Sequence, residues 1–399
     1  MVDIHNYKKR LEGQLRLVME DEKILPKNRE TILKFKDYLV SEGIGLPKIS
    51  RYFIDLRKLS KMLGKNFEDA NKDDIRRVVS ELNMTDLTEE SKKVFKVAIR
   101  KLYRFVRGVE EKLAYPDEVK WISIAIPKSK GKLPEELLTE EEIKATIRNC
   151  GNVRDRALIS TLAESGCRIG EIGNLQIKHV SFEQYGARIT VSGKTGMRKI
   201  LVINSAPYLK EWINQHPLND NPDATLWHNN RKSGFLTYAR IKDILKRSAK
   251  KAGIKKRVYP HLLRHSRATC LASIMSESQM KNYLGWEQSS KMAGIYVHMS
   301  GKDTDMALLK ANGVAVKEEE HESKIKPIKC MKCGEANPFS NRFCNSCGFV
   351  LEEKGALEII KKDYEKESMN NFLSELMKDK DVLELFNRKI NEMRINNGR

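Results

Sequence analysis

The stretch "CMKCGEANPFSNRFCNSCG", Cys330 to Gly348, restricts what it can fold into more than any other part of this 399-residue chain. Its cysteines are spaced C-x2-C-x10-C-x2-C, and a glycine (Gly334, Gly348) follows each pair. Two such knuckles turn four thiolates toward one point, the tetrahedral arrangement that Zn2+ takes with sulfur ligands. Disulfides are the alternative, but the start "MVDIHNYKKR" has no apolar signal core, which favours metal binding in a reducing compartment. So short a segment cannot bury much of a core, and the metal would supply its folding energy. We therefore expect a zinc ribbon over 325–351, with Cys330, Cys333, Cys344 and Cys347 holding a structural Zn2+. Cys150, Cys167 and Cys270 are scattered and read as small buried side chains.

The chain carries 74 Lys+Arg against 54 Asp+Glu, a formal charge of +20. Such an excess favours a polyanionic partner, and nucleic acid first. From Leu351 onward there are 10 basic and 11 acidic residues, so the excess lies before that tail. No apolar run reaches the roughly 18 residues of a membrane-spanning helix. A soluble, cytoplasmic, nucleoid-associated protein is expected, with no membrane partner.

Residues 1–25 read as a charged, helical extension. Between 26 and 111 apolar residues recur at three- and four-residue spacing, with glycines at Gly43, Gly64 and Gly108 and a Thr-x-x-Glu cap before the last run. That predicts an all-α bundle. Residues 112–136 are rich in Pro, Gly and Lys and read as an extended linker. A second domain follows over 137–313, with helices expected over 140–149, 153–165 and 169–175. "ARITVSGKTGMRKILVIN" alternates about a glycine-rich turn and predicts a β-hairpin. The domain is thus mainly α, of α+β type. Past the cysteines, 352–399 reads as a helical tail whose Phe372, Leu373, Leu376, Leu383 and Phe386 form an apolar stripe.

Four stretches of the second domain hold its chemistry. In "ESGCRIGEIGNL", Arg168 and Glu171 are one turn apart on a helix. Lys194 lies at the turn of "SGKTGMRK". In "HLLRHSRAT", His261 and Arg264 share a helix face, and His265 lies one turn from His261. "LGWEQSSKMAGIYVHMS" supplies Trp286 and Tyr296. Singly, each is explained as well by a salt bridge, a solvated lysine or a buried aromatic. Together they suit phosphoryl transfer without a metal. Two guanidiniums can clamp a phosphodiester as charge builds on phosphorus. Tyrosine, with a pKa of about 10, needs a charged phosphate site and a nearby base to attack. The absence of an Asp/Glu cluster argues against a two-metal nuclease.

In order and spelling, Arg168 with Glu171, Lys194, "HLLRH" and "LGW…IYVH" closely resemble the signatures of the tyrosine recombinases, the phage-integrase superfamily, over about 137–312. The helices of 26–108 resemble, more weakly, that family's SAM-like core-binding domain. The resemblance implies a site-specific DNA recombinase that breaks and rejoins strands through a 3′-phosphotyrosyl intermediate. Arg168 and Arg264 would clamp the scissile phosphate, with Trp286 as a further donor. Lys194 would be the general acid for the 5′-oxygen and His261 would assist proton transfer. Tyr296 would be the nucleophile, and Glu171 would orient Arg168 or His261. No ATP and no catalytic metal is implied. Double-stranded DNA is the implied partner, with four protomers assembling in the synapse. Position 286 is Trp where many relatives carry His, and the Trp286–Tyr296 interval is about one residue longer than usual. A DNA-binding regulator without chemistry and a type IB topoisomerase-like nicking-closing enzyme are the alternatives.

Overall fold

A computed structural model describes residues 3–111, 114–125, 136–229, 234–300, 312, 325–352 and 369. It divides into two compact units: Met1–Leu133 with Thr237–Ala239, and Pro134–Leu236 with Arg240–Arg399.

Among the described residues, five α-helices build the first unit: α1 (Tyr7–Glu20), α2 (Pro26–Ser41), α3 (Leu46–Leu63), α4 (Lys72–Asn83) and α5 (Glu89–Val106). Proline in the first turn starts α2 and α3, where a missing N–H costs nothing. Asn71 and Asp74 form a reciprocal capping box on α4. Phe35, Phe53, Leu56, Ile75, Phe95 and Leu102 meet in one core. Val18 of α1 joins it, which supplies the partner that the charged sequence of 1–25 did not reveal. Part of the expected linker also belongs here. Val119 and Ile122 are buried in the same core, and the Arg100 guanidinium lies 3.9 Å from the centre of the Tyr115 ring. The proline-rich composition hid two apolar side chains large enough to fold that segment back. Most of the rest of the expected linker, 126–135, lies outside the described residues.

In the second unit come α6 (Glu140–Arg148), α7 (Val153–Ser165), α8 (Ile169–Gly173), a sheet of β1 (Val180–Glu183), β2 (Gly186–Gly193) and β3 (Gly196–Val202), then α9 (Ala206–Asn214), α10 (Tyr238–Lys251), α11 (Pro260–Ala272), α12 (Glu277–Leu284) and α13 (Met292–Ser300). The sheet is antiparallel in the order β1-β2-β3, and Gly193 pairs with Gly196 across the two-residue turn that holds Lys194. Helix α7 is central: Ala157, Leu158, Ile159 and Leu162 are buried, and α9, α11, α6 and β3 pack around it.

The cysteine segment adds a two-stranded sheet, β4 (Ile328–Lys329) and β5 (Ala336–Asn337). It is seated on the helices of this unit. The ring of Phe339 meets that of Tyr208 edge-on at 6.0 Å, and Lys144 and Arg148 of α6 lie 5.2 and 5.5 Å from its centre. The Tyr208 hydroxyl donates to Ser340 Oγ at 2.9 Å, and Lys210 pairs with Glu335 at 2.7 Å. The apolar stripe of the tail and the link over 313–324 fall outside the described residues.

Candidate active site

The site is assembled where α8, the β2–β3 turn, α11 and α13 converge. A concavity of about 370 Å3 is lined by Arg168, Lys194, His261, Arg264, Trp286 and Tyr296, six residues separated by up to 128 positions in sequence. His265, Thr195, Glu287, Ser290 and Met292 complete its wall. A larger concavity of about 1190 Å3, beside the cysteine segment, holds none of these six. Size alone is a poor guide to the chemistry here.

Arg264 is the most enclosed of the set. Pro260 opens α11, so Arg264 falls in its second turn, 3% exposed, with Nη1 donating to the Gly166 carbonyl and Nη2 to that of Leu284, each at 2.8 Å. Its guanidinium carbon lies 5.3 Å from the centre of the Trp286 ring. Burial, with the positive charge of Arg168 beside it, lowers its pKa to about 10. It stays protonated at neutral pH, and an entering anion would relieve the strain between the two cations.

Arg168 caps α8. Its N–H donates to Glu171 Oε2 at 2.8 Å, and its Nη1 donates to Glu171 Oε1 at 3.1 Å and to the Gly285 carbonyl at 3.0 Å. A third of the side chain remains exposed to the pocket. Glu171 therefore contacts Arg168, the first of the two partners the sequence analysis named for it.

Two residues without an assigned role in the sequence analysis also take part. The first is Arg198 of β3, whose Nη1 and Nη2 donate to the two Glu171 oxygens at 3.1 and 2.9 Å. Burial would raise the Glu171 carboxyl, but the hydrogen bonds and charge of Arg198, with a smaller contribution from Arg168, hold it below the usual range. Arg198 alternates with Ile200 and Val202, both buried, so it occupies an inward position of its strand. A charge there demands a buried partner, and that is the signal that could have found it.

The second is His265. Its Nδ1 is hydrogen-bonded to the hydroxyl of Tyr296, while the His261 ring stands edge-on to that of His265, with centroids 4.8 Å apart. His261 lines the pocket as expected, but the histidine in contact with the candidate nucleophile is the other one. Nothing local in the sequence foretells a contact across 31 residues. Tyr296 itself is 5% exposed and stacks on Trp286, with centroids 5.6 Å apart and planes within 9°. Such stacking adds about 0.5–1.5 kcal/mol to simple burial. Burial raises the Tyr296 phenol above its ordinary pKa, and Arg264 works against that. Lys194 is exposed at the hairpin tip.

In the cysteine segment, Cys330, Cys333, Cys344 and Cys347 bring their four sulfurs within 4.8 Å of one another, the Cys330–Cys347 and Cys333–Cys344 pairs at 3.5 Å. Four sulfurs around Zn2+ at about 2.3 Å stand roughly 3.8 Å apart, so the cluster fits that ion.

The concavity suits DNA strand transfer of the tyrosine type, and comparison with known proteins points the same way. Residues 136–302 match the phage integrase family, the tyrosine recombinases. It is 27% identical over 286 residues to a tyrosine recombinase of Thermosipho africanus (69% of this chain, 96% of that protein). It is 28% identical over 287 residues to the tyrosine recombinase XerA of Pyrococcus furiosus (71% and 94%). Among solved structures, the XerH site-specific recombinase bound to a palindromic difH substrate shares the fold with a TM-score of 0.54 at 21% identity, covering 79% of this chain and 97% of that one. The lambda integrase tetramer bound to a Holliday junction gives 0.52 at 16% identity (67% and 76%).

Proposed function

We propose that this chain is a site-specific DNA recombinase whose nucleophile is Tyr296. The carrying observation is the single concavity that gathers Arg168, Lys194, His261, Arg264, Trp286 and Tyr296. With a phosphodiester in that pocket, Arg168 and Arg264 hold its non-bridging oxygens and Trp286 donates from its indole N–H. The Tyr296 oxygen attacks phosphorus, its proton passes toward the histidine pair, and Lys194 protonates the departing 5′-oxygen. A 3′-phosphotyrosyl bond replaces a phosphodiester, so neither ATP nor a metal enters the reaction. Indole donates a hydrogen bond but cannot shuttle a proton, so proton transfer rests on Lys194, His261 and the directly bonded His265. Glu171 orients Arg168 and does not react.

Double-stranded DNA is the partner and four protomers form the synapse, a reading supported by XerH bound to its difH substrate and by the lambda integrase tetramer bound to a Holliday junction. We assign DNA binding to the helical region 26–111, the chemistry to 137–313, and a structural zinc ribbon to 325–351, ahead of a helical tail. The clustered thiols support the ribbon. No helix among the described residues is long and apolar enough to cross a membrane, which suits a cytoplasmic, nucleoid-associated protein.

A nicked DNA site, from which the cleaved fragment diffuses away, tests the chemistry. Wild type should accumulate a covalent protein–DNA adduct on it, and Tyr296→Phe should accumulate none. An adduct with Tyr296→Phe would remove Tyr296 from its role. Exchange between two sites, rather than relaxation alone, separates a recombinase from a topoisomerase.

A further inference from the structure

The site contains a carboxylate directly behind one of its phosphate-binding arginines, and this raises a problem of charge. Glu171 is nearly fully buried and bonded to Arg168 through both the side chain and the backbone. A buried carboxylate 3.1 Å from a guanidinium offsets much of that guanidinium's charge, and so weakens its hold on a phosphate. Left alone with Arg168, Glu171 would orient the clamp and at the same time neutralise it.

Arg198 resolves the conflict. It approaches Glu171 from the β3 side and donates to both oxygens, the bidentate geometry in which guanidinium and carboxylate bind most strongly. Its Nε also donates to the Tyr283 carbonyl at 3.1 Å, which ties β3 to the end of α12. The backbone packs closely against the pair. At Gly285, which has φ +64°, a Cβ would run into the Arg198 guanidinium, and at Gly193 a Cβ would run into Glu171 Oε1. Gly285 also presents its carbonyl to Arg168, so one glycine loop serves both arginines. Arg198 is not among the residues lining the pocket.

We propose that Arg198 is a positioning residue that neutralises Glu171, so that Glu171 fixes the orientation of Arg168 while the charge of Arg168 stays available to the scissile phosphate. The buried Arg198–Glu171 pair is neutral as a unit, and Arg168, Arg264 and Lys194 are the cations left facing the phosphate. Removing Arg198 leaves an uncompensated buried carboxylate whose nearest cation is the clamp itself. This inference rests on the recombinase reading of the pocket.

The test is single-turnover cleavage of a nicked site by full-length Arg198→Met and Arg198→Lys, with affinity for an uncleaved site measured alongside. Arg198→Met should cleave about 10–100-fold more slowly, a loss of the size seen when an outer partner of a metal-binding side chain is removed. DNA affinity should stay nearly unchanged, and Arg198→Lys, which keeps the charge, should restore most of the rate. Two further measurements separate charge from packing. On a methylphosphonate, which lacks the negative charge at the scissile position, the Arg198→Met defect relative to wild type should shrink. Adding Glu171→Gln to Arg198→Met removes both charges and should recover part of the lost rate, whereas two packing defects would compound. An equal defect on the charged and neutral linkages, or a double variant no faster than Arg198→Met, overturns the proposal. A wild type that forms no adduct on any DNA overturns the recombinase reading, and this inference with it.

Discussion

Glu171 shows how much of this site depends on one residue's surroundings. Its carboxyl titrates lower in the folded protein than its ordinary 4.5, because Arg198 and Arg168 outweigh the effect of burial. The folded state thus binds that proton less readily than the unfolded state. The stabilisation it brings is complete above about pH 4.5 and is lost as pH falls through the lower folded value. Denaturant midpoints measured from about pH 6 down to pH 3 should therefore fall less steeply for Glu171→Gln than for wild type. Identical slopes would mean that the ion pair does not persist in solution. At the same scale, the pairing of Tyr296 with His265 predicts that His265→Ala slows cleavage more than DNA binding. Measuring both on one nicked site checks this. Equal losses in the two would reduce His265 to a packing residue.

Elements differ in how openly the sequence announces them. Helices α2 to α5 are written in caps, first-turn prolines and terminal glycines, signals that act within one turn. The β2–β3 hairpin is equally open, because Ile189, Val191, Ile200 and Val202 alternate inward. Strand β1, "VSFE", was not foreseen: its burial pattern is half-buried and then exposed throughout, so it leaves no alternation to read. The segment holding Val119 and Ile122 was masked by its prolines, and Arg198 by its neighbour Lys199 and the Lys194 of the turn, beside which one more cation does not stand out. The six residues that meet in the concavity were legible as a set because phosphate chemistry would call on these side chains whatever holds them. Their supports, Arg198 and His265, were not, because both act through contacts distant in sequence. The cysteine segment was legible as a cluster of four thiols able to hold a metal but not as a part seated on α6 and α9 through Phe339 and Tyr208. Burying an aromatic of that size is worth roughly 1.5–3 kcal/mol, so zinc loading should be felt by the catalytic unit. Metal analysis should find about one zinc per chain. Chelation should lower the melting temperature of the whole second unit, and Phe339→Ala should shrink that shift. A melting curve indifferent to chelator would contradict the seating.

For the molecule as a whole, the formal charge of +20 has one direct consequence. Binding that neutralises several phosphates releases counterions, so affinity for DNA should fall by at least about 100-fold between 50 and 200 mM salt. A flat salt dependence, read by fluorescence anisotropy on a labelled duplex, would put the basic residues elsewhere than on the DNA.

As the proposed nucleophile, Tyr296 joins this chain covalently to a DNA 3′ end. Trapping the adduct on a nicked site, digesting it and identifying the modified peptide and the attached nucleotide by mass spectrometry reads both halves of that claim at once. We expect the peptide containing Tyr296, carrying a 3′-phosphoryl nucleotide on the tyrosine oxygen. Attachment at another residue, or through a 5′-phosphate, would contradict the account.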